Sequence, residues 1–364
     1  MTAVKKTIAI DIQSTLAQKT GIGVYTNYLV QALAECAPEF TYALIGPEKV
    51  SNDYSVPERW RWDQLGFPRQ AVKVQAELLH QPGFSAPLLT RAKVVVTVHD
   101  SIARLFGKDI PYWSRQYFAR WMPFTYGRAD HIIADSQHTK RDLMREIGVP
   151  EQKITVVYLA AGPEYQPTTD TLATRAIRAK YHIPGPYLVH LGTLNPRKNL
   201  EFLVRVFAKI AGDFPDLSLV ISGKKGWYFD RLFALVADRG LKSRVIFTGY
   251  IPDGDKPTLL AGATVCPFPS LYEGFGLPPL EAMASGVPVI SSNSSSLPEV
   301  IGTSGILLDP RDEEAWVKAL RQLLSRPTMQ KSFRIKGLAQ AKRFDWLTTA
   351  RQTADVYHRV LEQK

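Results

Sequence analysis

The stretch "PYLVHLGTLNPRKNLEFLVRVFAKI", residues 186–210, contains the unit from which the chain is built. "PYLVHLG" is a short, nearly unbroken apolar run, the pattern of a strand covered on both faces of a parallel sheet. After a tight polar loop, apolar residues recur at Leu203, Val206, Phe207 and Ile210, one face of a helix. Asn199 stands before that helix and is a residue type suited to its N-cap. Strand, loop and helix in this order predict one half of a parallel β-α-β unit.

The same alternation runs outward in both directions. "KTIAID", "TYALIG", "KVVVTVHD" and "HIIADS" read as strands of a first half. "LSLVISG", "RVIFTGY", "ATVCPFPS" and "PVISS" join "PYLVHLG" in a second half. Between them lie helical patterns, such as Tyr25, Tyr28, Leu29, Ala32, Leu33 and Cys36 after "GIG". Alternating strands and helices with short connections predict an α/β class of doubly wound sheets. The pattern occurs twice, and the polar segment "GPEYQPTTDTLATR" (162–175) marks the join. Two α/β domains facing across a cleft are expected, with ligands at the carboxyl ends of the strands.

Bulk composition agrees. A chain of 364 residues with 45% hydrophobic and 22% charged content has material for two cores. No run of eighteen apolar residues is present to span a bilayer. The N-terminal "MTAVKKTIAIDIQS" reads as a first strand rather than a signal core. Cys36 and Cys266 sit in apolar settings, which predicts buried free thiols in a reducing cytosol. The net charge of +11 calls for something anionic: nucleic acid, an acidic membrane or a phosphorylated substrate.

Several motifs sit where a ligand would. Gly21 and Gly23 precede a helix whose N-terminus could attract phosphate. His99 and Asp100 end a buried strand, and Ser136 begins a helix as its cap. Gly192 ends a strand, and Arg197 and Lys198 follow it directly before Asn199. Cations at a helix start oppose the helix dipole unless an anion binds there, and a diphosphate would answer that need. Finally, "EGFGLPPLE" places Glu273 and Glu281 on either side of Gly274, Phe275, Gly276 and Leu277. Pro278 and Pro279 suit a first helical turn, and Glu281 is expected within that turn, beside its free N–H groups. Carboxylates are good partners for sugar hydroxyls.

Together these motifs resemble a retaining, nucleotide-sugar-dependent glycosyltransferase of family 4 with the GT-B fold. The E-x7-E spacing from Glu273 to Glu281 carries most of the resemblance. "GTLNPRKN", "GVPVISSNSSSLPEV", "GIGVYT" and "TVHD" follow in the expected order. The resemblance implies two Rossmann-like domains: residues 1–168 for the acceptor, 169–344 for the nucleotide sugar, and 345–364 as a helix crossing back. It implies that Arg197 and Lys198 neutralise the diphosphate, with Gly21, Gly23 and Gly192 bringing backbone close to the donor. Glu281 would bind the ribose, while Glu273 and His99 would face the donor sugar. Asp100 and Arg104 would lie on the acceptor side, and Glu299 near the nucleotide. Where many members have an arginine after the loop glycine, this chain has Thr193. "GTLNPRKN" resembles the subgroup moving mannose or related hexoses to bacterial surface polysaccharides.

The expected reaction is hexose transfer, with GDP-mannose the first choice of donor and UDP-hexoses the second. No cofactor is expected beyond the nucleotide sugar, no D-x-D carboxylate pair is read between residues 90 and 290, and a metal-independent site is expected. Front-face attack is the expected route, a donor phosphate oxygen taking the acceptor proton. The expected acceptor is a saccharide or a lipid-diphosphate-linked saccharide. Residues 102–128 interleave Arg104, Lys108, Arg115, Arg120 and Arg128 with eight aromatic residues. They read either as a surface for anionic lipid, on the cytoplasmic face of the cell membrane, or as a helix packed on its own domain. A nucleic-acid partner is not expected, because no recognition motif appears and the charge is dispersed. A catalytically silent sugar-nucleotide binder would share the same binding residues.

Overall fold

The structure is a computed structural model, and it describes residues 5–16, 21–51, 54–102, 112–224 and 229–363. The chain divides into two compact units. Unit 1 comprises residues 1–159 and 344–364, and unit 2 comprises residues 160–343.

Unit 1 holds six parallel strands: β1 (Thr7–Asp11), β2 (Thr41–Ile45), β3 (Leu78–Gln81), β4 (Lys93–Val98), β5 (His131–Ala134) and β6 (Ile154–Val156). Their order across the sheet is β2-β1-β3-β4-β5-β6. The reversal of direction between β1 and β3 is the switch point of a doubly wound sheet, where ligands bind. Helices Gly21–Cys36 and Trp346–Glu362 pack together in this unit. Tyr357 of the last helix reaches His80 Nδ1 at 2.6 Å, and Trp346 stacks on Tyr28 with ring centroids 5.2 Å apart.

Unit 2 holds β7 (Tyr187–Leu191), β8 (Ser218–Ser222), β9 (Val245–Gly249), β10 (Cys266–Phe268), β11 (Val289–Ser292) and β12 (Ile306–Leu308). The triplets β7-β8-β9 and β10-β11-β12 are each parallel. A parallel bridge between Leu188 and Val265 joins them, with Val189 N donating to Val265 O at 3.1 Å. The spatial order is therefore β9-β8-β7-β10-β11-β12, and the switch point lies between β7 and β10.

The helix read after residue 199 is Leu200–Ile210, and Leu203, Val206, Phe207 and Ile210 are fully buried on its inner face. At roughly 1.5–3 kcal/mol for each such side chain, this face anchors the helix on the sheet. Asn199 does not cap it as expected. Its backbone is left-handed (φ 57°), and its side-chain N–H groups reach Pro310 O at 2.8 Å and Pro269 O at 3.3 Å. Asparagine tolerates that conformation, and here it clamps two loops. Ser136 does cap its helix, accepting from Thr139 N at 3.0 Å. Cys266 is buried, but Cys36, at the end of its helix, is only half-buried.

The three strands absent from the sequence reading are β3, β6 and β12. Two have three residues, and β3 carries His80 and Gln81, so none shows a long apolar run. Tertiary pairing, not local pattern, makes them strands.

Candidate active site

At the unit 2 switch point, the connection leaving β7 carries Arg197 and Lys198, and the one leaving β10 carries Glu273. The sheet order sets the two connections side by side. Lys198 Nζ lies 2.6 Å from Glu273 Oε1, and an Arg197 guanidinium nitrogen lies 2.7 Å from Glu273 Oε2. Arg197 also donates to Tyr272 O at 2.8 Å, and Leu271 N donates to Arg197 O at 2.7 Å. The two loops are thus bonded through both backbone and side chains.

Glycines permit this approach. Gly192 has φ 149°, and a Cβ there would lie 3.1 Å from Lys198 Cε. A Cβ on Gly223, at the end of β8, would lie 1.9 Å from Gly192 O. Beneath, the Lys198 ammonium stands 5.0 Å from the centre of the Phe268 ring, on which His190 stacks at 5.1 Å. Burial pushes His190 down to about 4, so it stays neutral beside the two cations.

Burial alone would raise the Glu273 carboxyl, but the charges of Arg197 and Lys198 outweigh it and hold it at about 2. This corrects one expectation. The anion answering the two cations is already supplied by the chain, as Glu273. The two cations and their carboxylate lie beside the N-terminus of helix Leu200–Ile210, an end that favours anions.

The loop from Glu273 to Leu277 is stapled by the serines of "SSNSSS". Ser296 Oγ donates to Glu273 O at 2.9 Å and to Phe275 O at 2.8 Å. Ser295 Oγ accepts from Glu273 N at 2.8 Å, and Ser292 Oγ donates to Ser270 O at 2.5 Å. Gly276 has φ 113°, where other residues are strained, and it turns the chain into helix Leu277–Ala284. The serine run stood in the sequence, but the carbonyls it satisfies are about twenty residues away in the chain.

Glu281 is the fifth residue of that helix, not part of its first turn. Its carboxyl is buried, which pushes it up to about 7; Lys256 and a hydrogen bond from Tyr165 oppose the rise, and Glu164 and Asp253 add to it. Burial therefore outweighs the expected help from the helix dipole. Glu164 and Tyr165 come from the segment read as a polar join. Glu299 lies in the first turn of helix Leu297–Ile301, with its N–H bonded to Ser296 O.

Asp253 and Asp255 do have the D-x-D spacing, which corrects the reading that no such pair lies between residues 90 and 290. Asp255 Oδ2 accepts from Lys180 Nζ at 2.6 Å and from Tyr181 at 2.5 Å, and Asp253 pairs with Lys256 at 2.7 Å.

The remaining residues belong to unit 1. Gly21 and Gly23 do not precede their helix but form its first turn, Gly21 exposed and Gly23 buried. His99 follows β4, and both its ring nitrogens face acceptors: Nδ1 is 2.5 Å from Asp135 Oδ2 and Nε2 is 2.7 Å from Pro82 O. Burial lowers its proton affinity, but Asp135 outweighs burial and the net shift is upward, favouring the imidazolium. Gly83 is close-packed here: a Cβ would lie 2.8 Å from Ile22 Cγ2 and 3.2 Å from His99 Cδ2. The first turn of the glycine helix and His99 thus meet around Gly83, which the sequence reading missed along with Asp135. Asp100 is exposed and accepts from Ile102 N at 2.9 Å. Arg104 lies outside the described residues.

Residues 174–340 match the family described as glycosyl transferases group 1, and residues 20–161 match the one described as glycosyltransferase family 4. The O-antigen chain mannosyltransferase B of Escherichia coli is 34% identical over 287 residues, 77% of this chain and 74% of that one. The chain belongs to glycosyltransferase family 4. This glycosyltransferase is also 31% identical, over 74% of its own length, to the serotype-specific mannosyltransferase WbdA of Escherichia coli, of which it spans about a third. Among solved structures, sucrose-phosphate synthase from Thermosynechococcus elongatus superposes with a TM-score of 0.79 at 21% identity, covering 99% of this chain and 100% of that one. That likeness establishes the GT-B fold, so the two doubly wound sheets of this glycosyltransferase are its two Rossmann-like domains.

Proposed function

We propose that this glycosyltransferase moves mannose from GDP-mannose to a lipid-diphosphate-linked saccharide during assembly of a surface polysaccharide, working peripherally on the cytoplasmic face of the cell membrane. The arrangement carrying this reading is Arg197–Glu273–Lys198 at the unit 2 switch point, two cations held in place beside the start of helix Leu200–Ile210. The choice of mannose follows two relatives whose names are mannosyltransferases.

In this reading the diphosphate is held by Arg197, Lys198 and the N–H groups starting helix Leu200–Ile210. Glu281 accepts hydrogen bonds from the ribose hydroxyls, and Glu273 contacts the donor sugar. The anomeric carbon–oxygen bond to the diphosphate breaks, and the acceptor oxygen bonds to the same carbon from the same face. The acceptor proton passes to a donor phosphate oxygen. Two fixed cations stabilise the departing charge, the kind of electrostatic contribution that is usually largest in catalysis. Glu273 is a poor nucleophile here: both its oxygens are bound to cations, and its proton affinity is low. That favours front-face attack over a glycosyl-enzyme route. We propose further that transfer needs no metal.

The test is a thermal-shift panel of GDP, UDP, ADP and CMP with their sugar conjugates, with and without chelator, followed by transfer to a lipid-diphosphate-linked saccharide. A shift selective for GDP-mannose, kept in chelator and followed by mannosylated product, is the expected result. A preference for UDP conjugates would overturn the donor assignment, loss in chelator the metal-free route, and binding without transfer the enzymatic reading.

A further inference from the structure

Unit 1 exposes a set of aromatic side chains that its own core leaves uncovered. Trp113 is 74% exposed, Phe124 68% and Tyr112 60%. Trp60 and Trp121 meet with ring centroids 6.1 Å apart, and Trp121 meets Phe124 at 5.9 Å. Between helices Val56–Arg61, Tyr112–Gln116 and Met122–Tyr126, Trp60, Trp113, Trp121 and Phe124 line a groove of about 660 Å³, and Tyr112 packs edge-on against Trp113. An aromatic surface of this extent marks an interaction site.

The groove is rigidly floored. Tyr117, which lines it, donates to the buried Asp63 Oδ2 at 2.5 Å, and Asp63 also accepts from Ser85 Oγ at 2.6 Å. Thr125 Oγ1 accepts from Ala86 N at 3.0 Å. These bonds tie the groove floor to the sheet, with Trp121 half-buried against the core and Trp113 exposed.

The charge on the groove has one sign. Arg61 and Arg120 line it, and no carboxylate does among the described residues. Neither arginine forms an ion pair among those residues. Arg115 lies one turn from Arg120 and is likewise without an acidic partner there. Several exposed rings with cations and no acid between them match a bilayer interface. There aromatic rings sit at headgroup depth and arginines meet lipid phosphates.

We propose that this face docks on an anionic lipid bilayer, with Trp113, Phe124 and Tyr112 entering the headgroup layer and Arg61 and Arg120 meeting phospholipid phosphates. The inference deepens the proposed function, because it assumes an acceptor carried on lipid. It locates the contact in unit 1, whereas the cationic cradle belongs to unit 2.

The test is flotation of the full chain with vesicles of phosphatidylcholine alone or mixed with phosphatidylglycerol. The expected result is binding that rises with phosphatidylglycerol and falls with salt. Arg61→Gln with Arg120→Gln should remove the anionic preference, lowering partitioning roughly tenfold or more. Trp113→Ala with Phe124→Ala should lower it on both vesicle types. Each variant is also tested for its nucleotide thermal shift and for transfer to a water-soluble acceptor, which should be unchanged and show that the fold persists. Equal binding to both vesicle types, binding unaffected by these variants, or a solution dimer abolished by Trp113→Ala would overturn the proposal. Failure of transfer with every donor, while anionic vesicles are still bound, would instead sink the transferase reading and leave this surface standing.

Discussion

Lys198 Nζ and Glu273 Oε1 stand 2.6 Å apart although 75 residues separate them in the chain. With Arg197 on the second oxygen, the carboxylate is saturated by cations before any ligand arrives. The positions of both cations are therefore fixed in advance, and binding need not pay to order them.

Removing one partner of this buried set leaves the others uncompensated. Lys198→Ala should destabilise the fold by about 3–5 kcal/mol. It should also lower kcat/KM by roughly 10²–10³, the usual loss for one charge-stabilising contact. Adding Glu273→Gln should recover much of the stability but none of the activity. Melting temperature and kcat/KM on the single and double variants separate the two effects. Equal recovery of both would show that Lys198 acts only on Glu273.

Glu281 should make the protein pH-sensitive. Its folded value of about 7 lies above the ordinary 4.5 of a glutamate, so the folded state binds the proton more tightly. Stability should therefore be greatest below pH 4.5, as far as this group is concerned, and fall as pH rises to about 7. The full loss is about 3 kcal/mol. Glu281→Gln should flatten that slope in urea unfolding measured across the window. Nucleotide affinity should move the other way, strengthening as the carboxylate forms; pH-independent affinity would remove Glu281 from the ribose.

Ser296 should set the loop rather than the chemistry. Ser296→Ala strips a donor from the carbonyls of Glu273 and Phe275 and should cost about 1–3 kcal/mol. KM for the donor should rise more than kcat falls. An unchanged melting temperature would mean the loop holds without its staple.

Gly223 should be intolerant although no chemistry is assigned to it. A Cβ there would fall 1.9 Å from Gly192 O, a backbone atom that can move only with the loop leading to Lys198. Gly223→Ala should therefore abolish the nucleotide thermal shift while unit 1 keeps its stability. A normal shift would show that the loop can relax at little cost.

Nine of the twelve strands among the described residues, and the residue types of the site, could be read from the sequence, because each depends on local order. Apolar runs mark buried strands, a 3.6-residue period marks helix Leu200–Ile210, and glycines mark the turns that follow β7 and precede helix Leu277–Ala284. The tertiary structure alone decided who partners whom. Asn199 was legible as a residue at a helix start, but two distant carbonyls draw its side chain away from capping. Glu281 was legible as a carboxylate near a helix start, but burial beside Tyr165 and Glu164 sets its charge. Arg197 and Lys198 were legible as cations needing an anion, but the crossing of β7 and β10 at the switch point brings them Glu273. Local pattern fixes a residue's conformation, whereas its charge state and its partner depend on burial and on contacts across dozens of residues, which periodicity does not encode.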